Sequence, residues 1–290
     1  MNIFLKKYYK IFNKKKYFEI KKIQQNNQKK SNFEKFFIKK INKIRSALNK
    51  KEINFCHSGH LGDIIYSLPV ILSLSKKKKC NLYIKLDDSG GNISQDTFDK
   101  LFPLLSHQVY INKIQVFSSE NIDIDFDIFR EFPFVWFSLN KIFLLMTNIN
   151  FDLTKKFLFT KKRKKYSSFI VIIRSLRRQN ETVRFNFLKK YKKIIFLGLK
   201  TEYLSIKKQI PNIKFYECKN FLEMAEIINS CKLFIGNQSF GFSIAEALKV
   251  VRILEISMDA QDVIPFGKNG FDFYFQKDLE NICNSLLKKK

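Results

Sequence analysis

Two loops, each set between a short apolar run and a helical stretch, constrain this chain most. Ile53–Cys56 is followed by His57-Ser58-Gly59-His60-Leu61-Gly62-Asp63 and then by the apolar stretch Ile64–Leu74. Leu233–Ile235 is followed by Gly236-Asn237-Gln238-Ser239 and then by Ser243–Leu248. A strand that passes to a helix through a glycine-bearing turn is the repeating unit of a parallel sheet covered by helices. Further strands are predicted at Leu82–Leu86, Val109–Val116, Ile122–Ile128, Phe169–Ile173, Ile194–Leu197 and Ile213–Tyr216, with Arg252–Ile256 the last, and a helix at Phe221–Asn229. The basic run Lys161–Lys165 divides them into two series. The expectation is an α/β chain with two facing Rossmann-like domains, 51–163 and 164–290, and a ligand cleft beyond the C-terminal strand ends.

Composition adds bounds. Hydrophobic residues make up 45% of 290, enough for a core, so whole-chain disorder is not expected. Cys56, Cys80, Cys218, Cys231 and Cys283 are scattered without a C-x-x-C pair, which fits neither a disulfide framework nor a zinc ribbon and suits a reducing compartment. Cys56 reads as a buried strand residue. No secretory apolar core and no apolar run of roughly 18 residues is visible, so a cytoplasmic location is expected.

The charge is uneven. Net charge is +28, and residues 1–50, with 16 Lys/Arg and 2 acids, hold +14 of it. This basic N-terminal extension interleaves lysines with Ile, Phe and Tyr. A helix there would bring Phe33, Phe36, Phe37 and Ile41 near one face, with Lys35, Lys39 and Lys43 around it. That pattern suits an anionic inner membrane face, and equally a solvated basic helix with no partner. Nucleic acid is not an expected partner: the charge lies in a terminal arm and short Lys runs, with no recognised nucleic-acid motif.

Both loops carry candidate chemistry. Glycines at Gly59 and Gly62 let backbone approach a ligand, with His60 between them. Asp63, at the helix start, is either a general base toward a hydroxyl or an N-cap. Gly236–Ser239 opens a helix whose free amides suit a diphosphate, or is an ordinary strand–helix turn. Asp123, Asp125 and Asp127 alternate as on one exposed strand face, and His57 and His60 have no third ligand nearby, so no metal site is expected. Phe132–Phe137 with Trp136 reads as packing or as an acceptor-lipid groove.

Taken together, the loops resemble those of the heptosyltransferase-like glycosyltransferases, glycosyltransferase family 9. The G-x-x-G-D loop and Pro-containing helix are matched by Gly59, Gly62, Asp63 and Pro69. The G-N-D-S-G-x-x-H-x-A-x-A-L loop is matched by Gly236, Asn237, Ser239, Ala245, Ala247 and Leu248, with Gln238, Phe240 and Ser243 replacing the usual acid, Gly and His. A neutral Gln repels a diphosphate less than Asp does, and its amide donates. The resemblance covers about 53–280.

It implies a GT-B fold and inverting, metal-independent transfer of a heptose or related hexose from a nucleotide-diphosphate sugar. That donor is a substrate, so no cofactor is implied. The acceptor would be a glycan or glycolipid of the surface-glycan or lipopolysaccharide type, met at the inner membrane face. Asp63 is then the expected base. Gly236, Asn237, Gln238 and Ser239, with Arg174 and Arg177, and Arg178 beside them, would hold the diphosphate. Glu202 would meet the nucleoside. The substitutions at Gln238 and Ser243 leave an alternative: a non-catalytic GT-B relative that binds a sugar nucleotide or glycan.

Overall fold

A computed structural model describes residues 8–10, 12–87, 93–131, 138–259 and 262–288, leaving out the side chains of 29, 30, 32, 33, 36 and 37. The face expected to carry Phe33, Phe36 and Phe37, and the segment Phe132–Phe137, therefore lie outside the described residues. The chain forms two compact units, residues 1–49 and 50–290.

In the first unit, the helix α1 (Lys14–Ala47) runs 34 residues. Asn13 caps it, its side-chain oxygen accepting from Lys16 N at 3.0 Å. Among the described residues, no helix is long and apolar enough to cross a membrane.

The second unit holds two parallel sheets. The first contains β1 (Glu52–His57), β2 (Lys79–Ile84), β3 (Lys113–Val116) and β4 (Ile124–Asp125), in the order β3-β2-β1-β4. Its helices are α2 (Leu61–Leu74), α3 (Gln95–Ser106) and α4 (Leu139–Thr147). The second sheet contains β5 (Ile170–Ile173), β6 (Ile194–Phe196), β7 (Lys214–Phe215), β8 (Leu233–Asn237), β9 (Arg252–Glu255) and β10 (Gly270–Phe273). Its order is β10-β9-β8-β5-β6-β7, with α5 (Lys200–Gln209), α6 (Phe221–Ser230), α7 (Phe240–Leu248) and α8 (Gln276–Leu287). Central strands such as Ile170–Ile173 are apolar throughout because both sheet faces are covered.

Each sheet therefore grows outward from one strand and then reverses past it. The reversal lies between β1 and β4 in the first sheet and between β5 and β8 in the second. At such a point the following loops part in opposite directions and leave a crevice. Helices join the two halves: α2 packs on α7, and α3 on α6. Leu139 N also donates to Asp262 O at 3.0 Å, and Phe157 N to Ala247 O at 3.1 Å.

Four expectations are corrected. The strand expected over Ile122–Ile128 is only Ile124–Asp125, because Phe126 is fully buried and starts a 3₁₀ turn, Phe126–Glu131. Its three acids do not share one strand face. Asp123 accepts from Asn54 N, Asp125 pairs with Lys85, and Asp127 accepts from Ser58 N. Arg252–Ile256 is not the final strand either, since β10 pairs beyond it. Val109, placed in a strand by its sequence, lies 98% exposed before β3.

Candidate active site

Four loops meet at one cleft of about 410 Å³, and they are the four that follow β1, β4, β5 and β8, the strands flanking the two reversals. The first brings His60, Leu61, Gly62 and Asp63; the second Phe129 and Arg130; the third Arg177 and Arg178; the fourth Gln238, Ser239 and Phe240. Tyr66, Leu139, Asp262 and Val263 complete the wall. The site is thus a consequence of topology, and three guanidiniums and two carboxylates face it.

The β1 loop is held from beneath. His57 is fully buried, and its Nδ1 accepts the Gly59 amide at 2.8 Å. The Asp127 carboxylate lies 3.3 Å from the same nitrogen. A Cβ on Gly59 would stand 2.3 Å from His57 Cε1, so only glycine lets the loop lie on the ring. The N-cap of α2 is His60, which makes no side-chain capping bond. Asp63 sits three residues in and is not the cap. Its side chain is only 15% exposed and stands 3.5 Å from Arg130 Nη2. Burial pushes its carboxyl above the ordinary range. His57, Arg130 and His60 oppose the rise, and Asp262 adds to it.

Across the cleft, Gly236 lies in the last residue pair between β8 and β5, where a Cβ would come 2.6 Å from Ile173 O, so glycine permits the close pairing with β5. Ser239 is the N-cap of α7, and its hydroxyl bonds back to Asn237 O and makes no capping bond. The first amides of a helix lack intrahelical acceptors and sit at the positive end of its dipole, so this end can take an anion. Gln238 Nε2 donates to Asp262 Oδ1, an interaction no local sequence pattern announces.

Asn237 is fully buried and ties the β5 loop to β8. Its Oδ1 accepts from Ser175 N at 3.0 Å, and its Nδ2 donates to Ser175 O and Arg177 O, each at 2.9 Å. A weaker bond reaches Arg178 O at 3.2 Å. Arg178 has a φ of 68°, a conformation non-glycine residues adopt at a cost, and the Asn237 amide holds it there. The result presents Arg177 and Arg178 to the cleft with no side-chain partner among the described residues.

Arg174 and Glu202, both expected near the ligand, do not line the cleft. Arg174 is 3% exposed, and its guanidinium grips the fully buried Glu255 through two bonds of 2.6 Å. It also donates to Gln179 Oε1 and Asn180 O. Those bonds take four of its five N–H donors and turn the guanidinium into the sheet. Glu202 folds back onto Leu199 N at 3.1 Å, capping α5. Ser243, at the position of the family's histidine, is fully buried, with Oγ donating to Phe240 O at 2.7 Å. A Cβ on Gly62 would stand 3.8 Å from it, so these small residues let α2 and α7 approach. Sequence reading missed Arg130, Tyr66 and Asp262. Arg130 lies just past the strand expected over Ile122–Ile128, in the 3₁₀ turn that replaces its end.

The structure is similar to that of a glycosyltransferase of family 9 from Veillonella parvula DSM 2008. Identity is 12%, coverage is 84% of this chain and 91% of that one, and the TM-score is 0.55. It is also similar to the E. coli ADP-heptose LPS heptosyltransferase II, at 11% identity, 81% and 98% coverage and a TM-score of 0.50. No family model and no curated protein matches the chain by sequence. The likeness bears out the expected fold: α/β, with the two parallel sheets of the GT-B arrangement.

Proposed function

We propose that the chain is an inverting glycosyltransferase that moves a sugar, a heptose or related hexose, from a nucleotide-diphosphate donor to a hydroxyl of a glycan or glycolipid. One observation carries this reading: a largely buried carboxylate, Asp63, and the amide-bearing start of α7 with Arg177 and Arg178 line the same cleft. The Asp63 carboxylate removes the acceptor hydroxyl's proton as that oxygen attacks the anomeric carbon. The bond from carbon to the diphosphate oxygen breaks on the opposite face, which inverts the centre. Negative charge gathering on the departing diphosphate meets the α7 amides and the two guanidiniums. A carboxyl pushed up by burial is a stronger base than an ordinary one, and proton transfer gains from that while the group remains ionised.

Gln238 is the chain's own variation. Its side chain is neutral and its amide donates, and the acid it pairs with is Asp262, on the loop beyond β9. The cleft thereby keeps a carboxylate for sugar hydroxyls while the helix start carries no acid to repel phosphate.

The Arg130 contact to Asp63 favours a second reading, a non-catalytic relative that binds a sugar nucleotide or glycan with its carboxylate held by a cation. Donor turnover separates the two. With ADP-, GDP-, UDP-, CMP- and dTDP-sugars and a crude glycolipid acceptor, the transferase reading expects turnover that Asp63→Asn abolishes while donor binding survives. Donor binding without turnover for any pair supports the second reading.

A further inference from the structure

The start of the chain carries a surface that the cleft does not use. Over residues 8–24 there are six lysines, Lys10, Lys14, Lys15, Lys16, Lys21 and Lys22, against one acid, Glu19. Lys16 lies over the Tyr9 ring at 5.4 Å. The other five have no side-chain partner among the described residues. Large apolar groups stand among them in the open: Tyr8 at 57% exposure, Phe12 at 71%, Phe18 at 61% and Ile23 at 58%. Toward the far end of α1 the pattern changes, and Ile41, Ile44 and Ala47 are buried.

At 3.6 residues per turn, Lys14, Lys15, Lys21 and Lys22 fall on one side of α1 around Phe18, and Ile20 and Ile23 fall on the other. Such a helix is too polar to enter a bilayer core. It suits the boundary between headgroups and acyl chains, where rings and aliphatic side chains are buried and lysine stems reach up to anionic phosphates. The exposed isoleucine distinguishes this from a nucleic-acid surface. Bases reward aromatic faces and cations, but an aliphatic side chain gains nothing from stacking.

We propose that residues 8–10 and 12–24 form a docking surface for a bilayer containing anionic phospholipid. Adsorption is electrostatic first, strengthening about five-fold for each basic residue that reaches the surface. The aromatic and aliphatic residues then add depth. This holds whatever the cleft catalyses, so its failure would leave the proposed reaction standing, and failure of the reaction would leave it standing.

The test is co-sedimentation of the full chain with vesicles of phosphatidylcholine alone and of phosphatidylcholine mixed with phosphatidylglycerol. The expected result is binding to the mixed vesicles only. It should weaken as salt shortens the Debye length from about 10 Å at 0.1 M to about 3 Å at 1 M. The full chain with Lys14→Glu, Lys15→Glu, Lys21→Glu and Lys22→Glu should lose binding at least a hundred-fold, on the order expected from four such contacts. The full chain with Phe12→Ser, Phe18→Ser and Ile23→Ser should bind more weakly and with a steeper salt dependence. Equal binding to neutral vesicles, unchanged binding after charge reversal, or capture of a poly-uridine RNA with no vesicle binding would each overturn the proposal. Because the substituted residues are exposed, thermal unfolding of the variants should match the parent and shows that folding is intact.

Discussion

Asp63 Oδ2 stands 3.5 Å from Arg130 Nη2, joining the first turn of α2 to the 3₁₀ turn after β4. The pair is long, and Arg130 is 38% exposed, so it adds little to stability. Its effect is on protonation. Burial raises the Asp63 carboxyl and Arg130 counteracts part of that rise. Removing the cation should therefore raise it further. In Arg130→Gln the acid limb of the kcat/KM profile should move to higher pH, with activity near the alkaline plateau reduced less than at acid pH. An unmoved limb would show that the guanidinium does not set the state of the base.

The same shift fixes the sign of a stability effect. A carboxyl whose folded-state pKa lies above its unfolded value supports the fold most when protonated, below the unfolded pKa. That support is lost as pH rises through the folded value. Where it is ionised, Asp63 is a largely buried charge that the fold tolerates. Asp63→Asn should unfold at a higher temperature than the parent near pH 7, by roughly 2–4 °C if the gain is about 1 kcal/mol. The difference should shrink as pH falls through the raised folded-state value and be gone below the ordinary carboxylate range. Differential scanning calorimetry across pH checks both the sign and its disappearance.

Arg174 and Arg177, three residues apart, should behave oppositely. Arg174→Ala strands the fully buried Glu255 without its cation and should cost about 3–5 kcal/mol in chemical denaturation. Arg177→Ala touches an exposed side chain and should leave unfolding within about 0.5 kcal/mol. It should still weaken binding of a nucleoside diphosphate about ten-fold, the loss of one charge-assisted contact.

Asn237 offers a sharper test of the β5 loop. In Asn237→Asp the Ser175 amide keeps an acceptor, but the second oxygen would face the carbonyls of Ser175, Arg177 and Arg178. This buried clash of acceptors should cost about 1–3 kcal/mol. It should also release Arg178 from its left-handed conformation. Protease sensitivity at residues 175–178 should rise together with the loss of diphosphate affinity.

Much of the architecture was legible because its signals are local. Ile53–Cys56 and Leu233–Ile235 are strands for the reason their sequence gives: apolar runs that end at glycine-bearing loops. The helices after them follow from apolar spacing. The candidate site was legible at Asp63 and at Gln238 and Ser239, where turn chemistry and helix start coincide, whereas Gly236 and Asn237 lie behind the cleft wall. It was not legible where a side chain's partner lies far along the chain. Arg174 reads as a phosphate ligand until Glu255, 81 residues later, is seen to hold it. Asp262 reads as a loop acid until Gln238 is found beside it. Asn237 keeps its place in the motif but serves the backbone of another loop. The Asp123–Asp127 alternation imitates a strand and conceals the 3₁₀ turn that delivers Arg130. Buried Phe126 decides that turn, and alternation alone cannot show which face the core will claim.

The proposed reaction requires that one cleft hold a diphosphate between the start of α7 and the β5 loop, with Asp63 opposite. Titration calorimetry of the full chain with ADP, GDP, UDP and dTDP tests it most directly, repeated with Arg177→Ala/Arg178→Ala and with Asp63→Asn. The account predicts that at least one diphosphate binds, that the double arginine variant binds it about a hundred-fold more weakly, as two lost guanidinium contacts imply, and that Asp63→Asn binds it as well as or better than the parent. Binding that ignores the arginines, or no binding of any of the four, would contradict it.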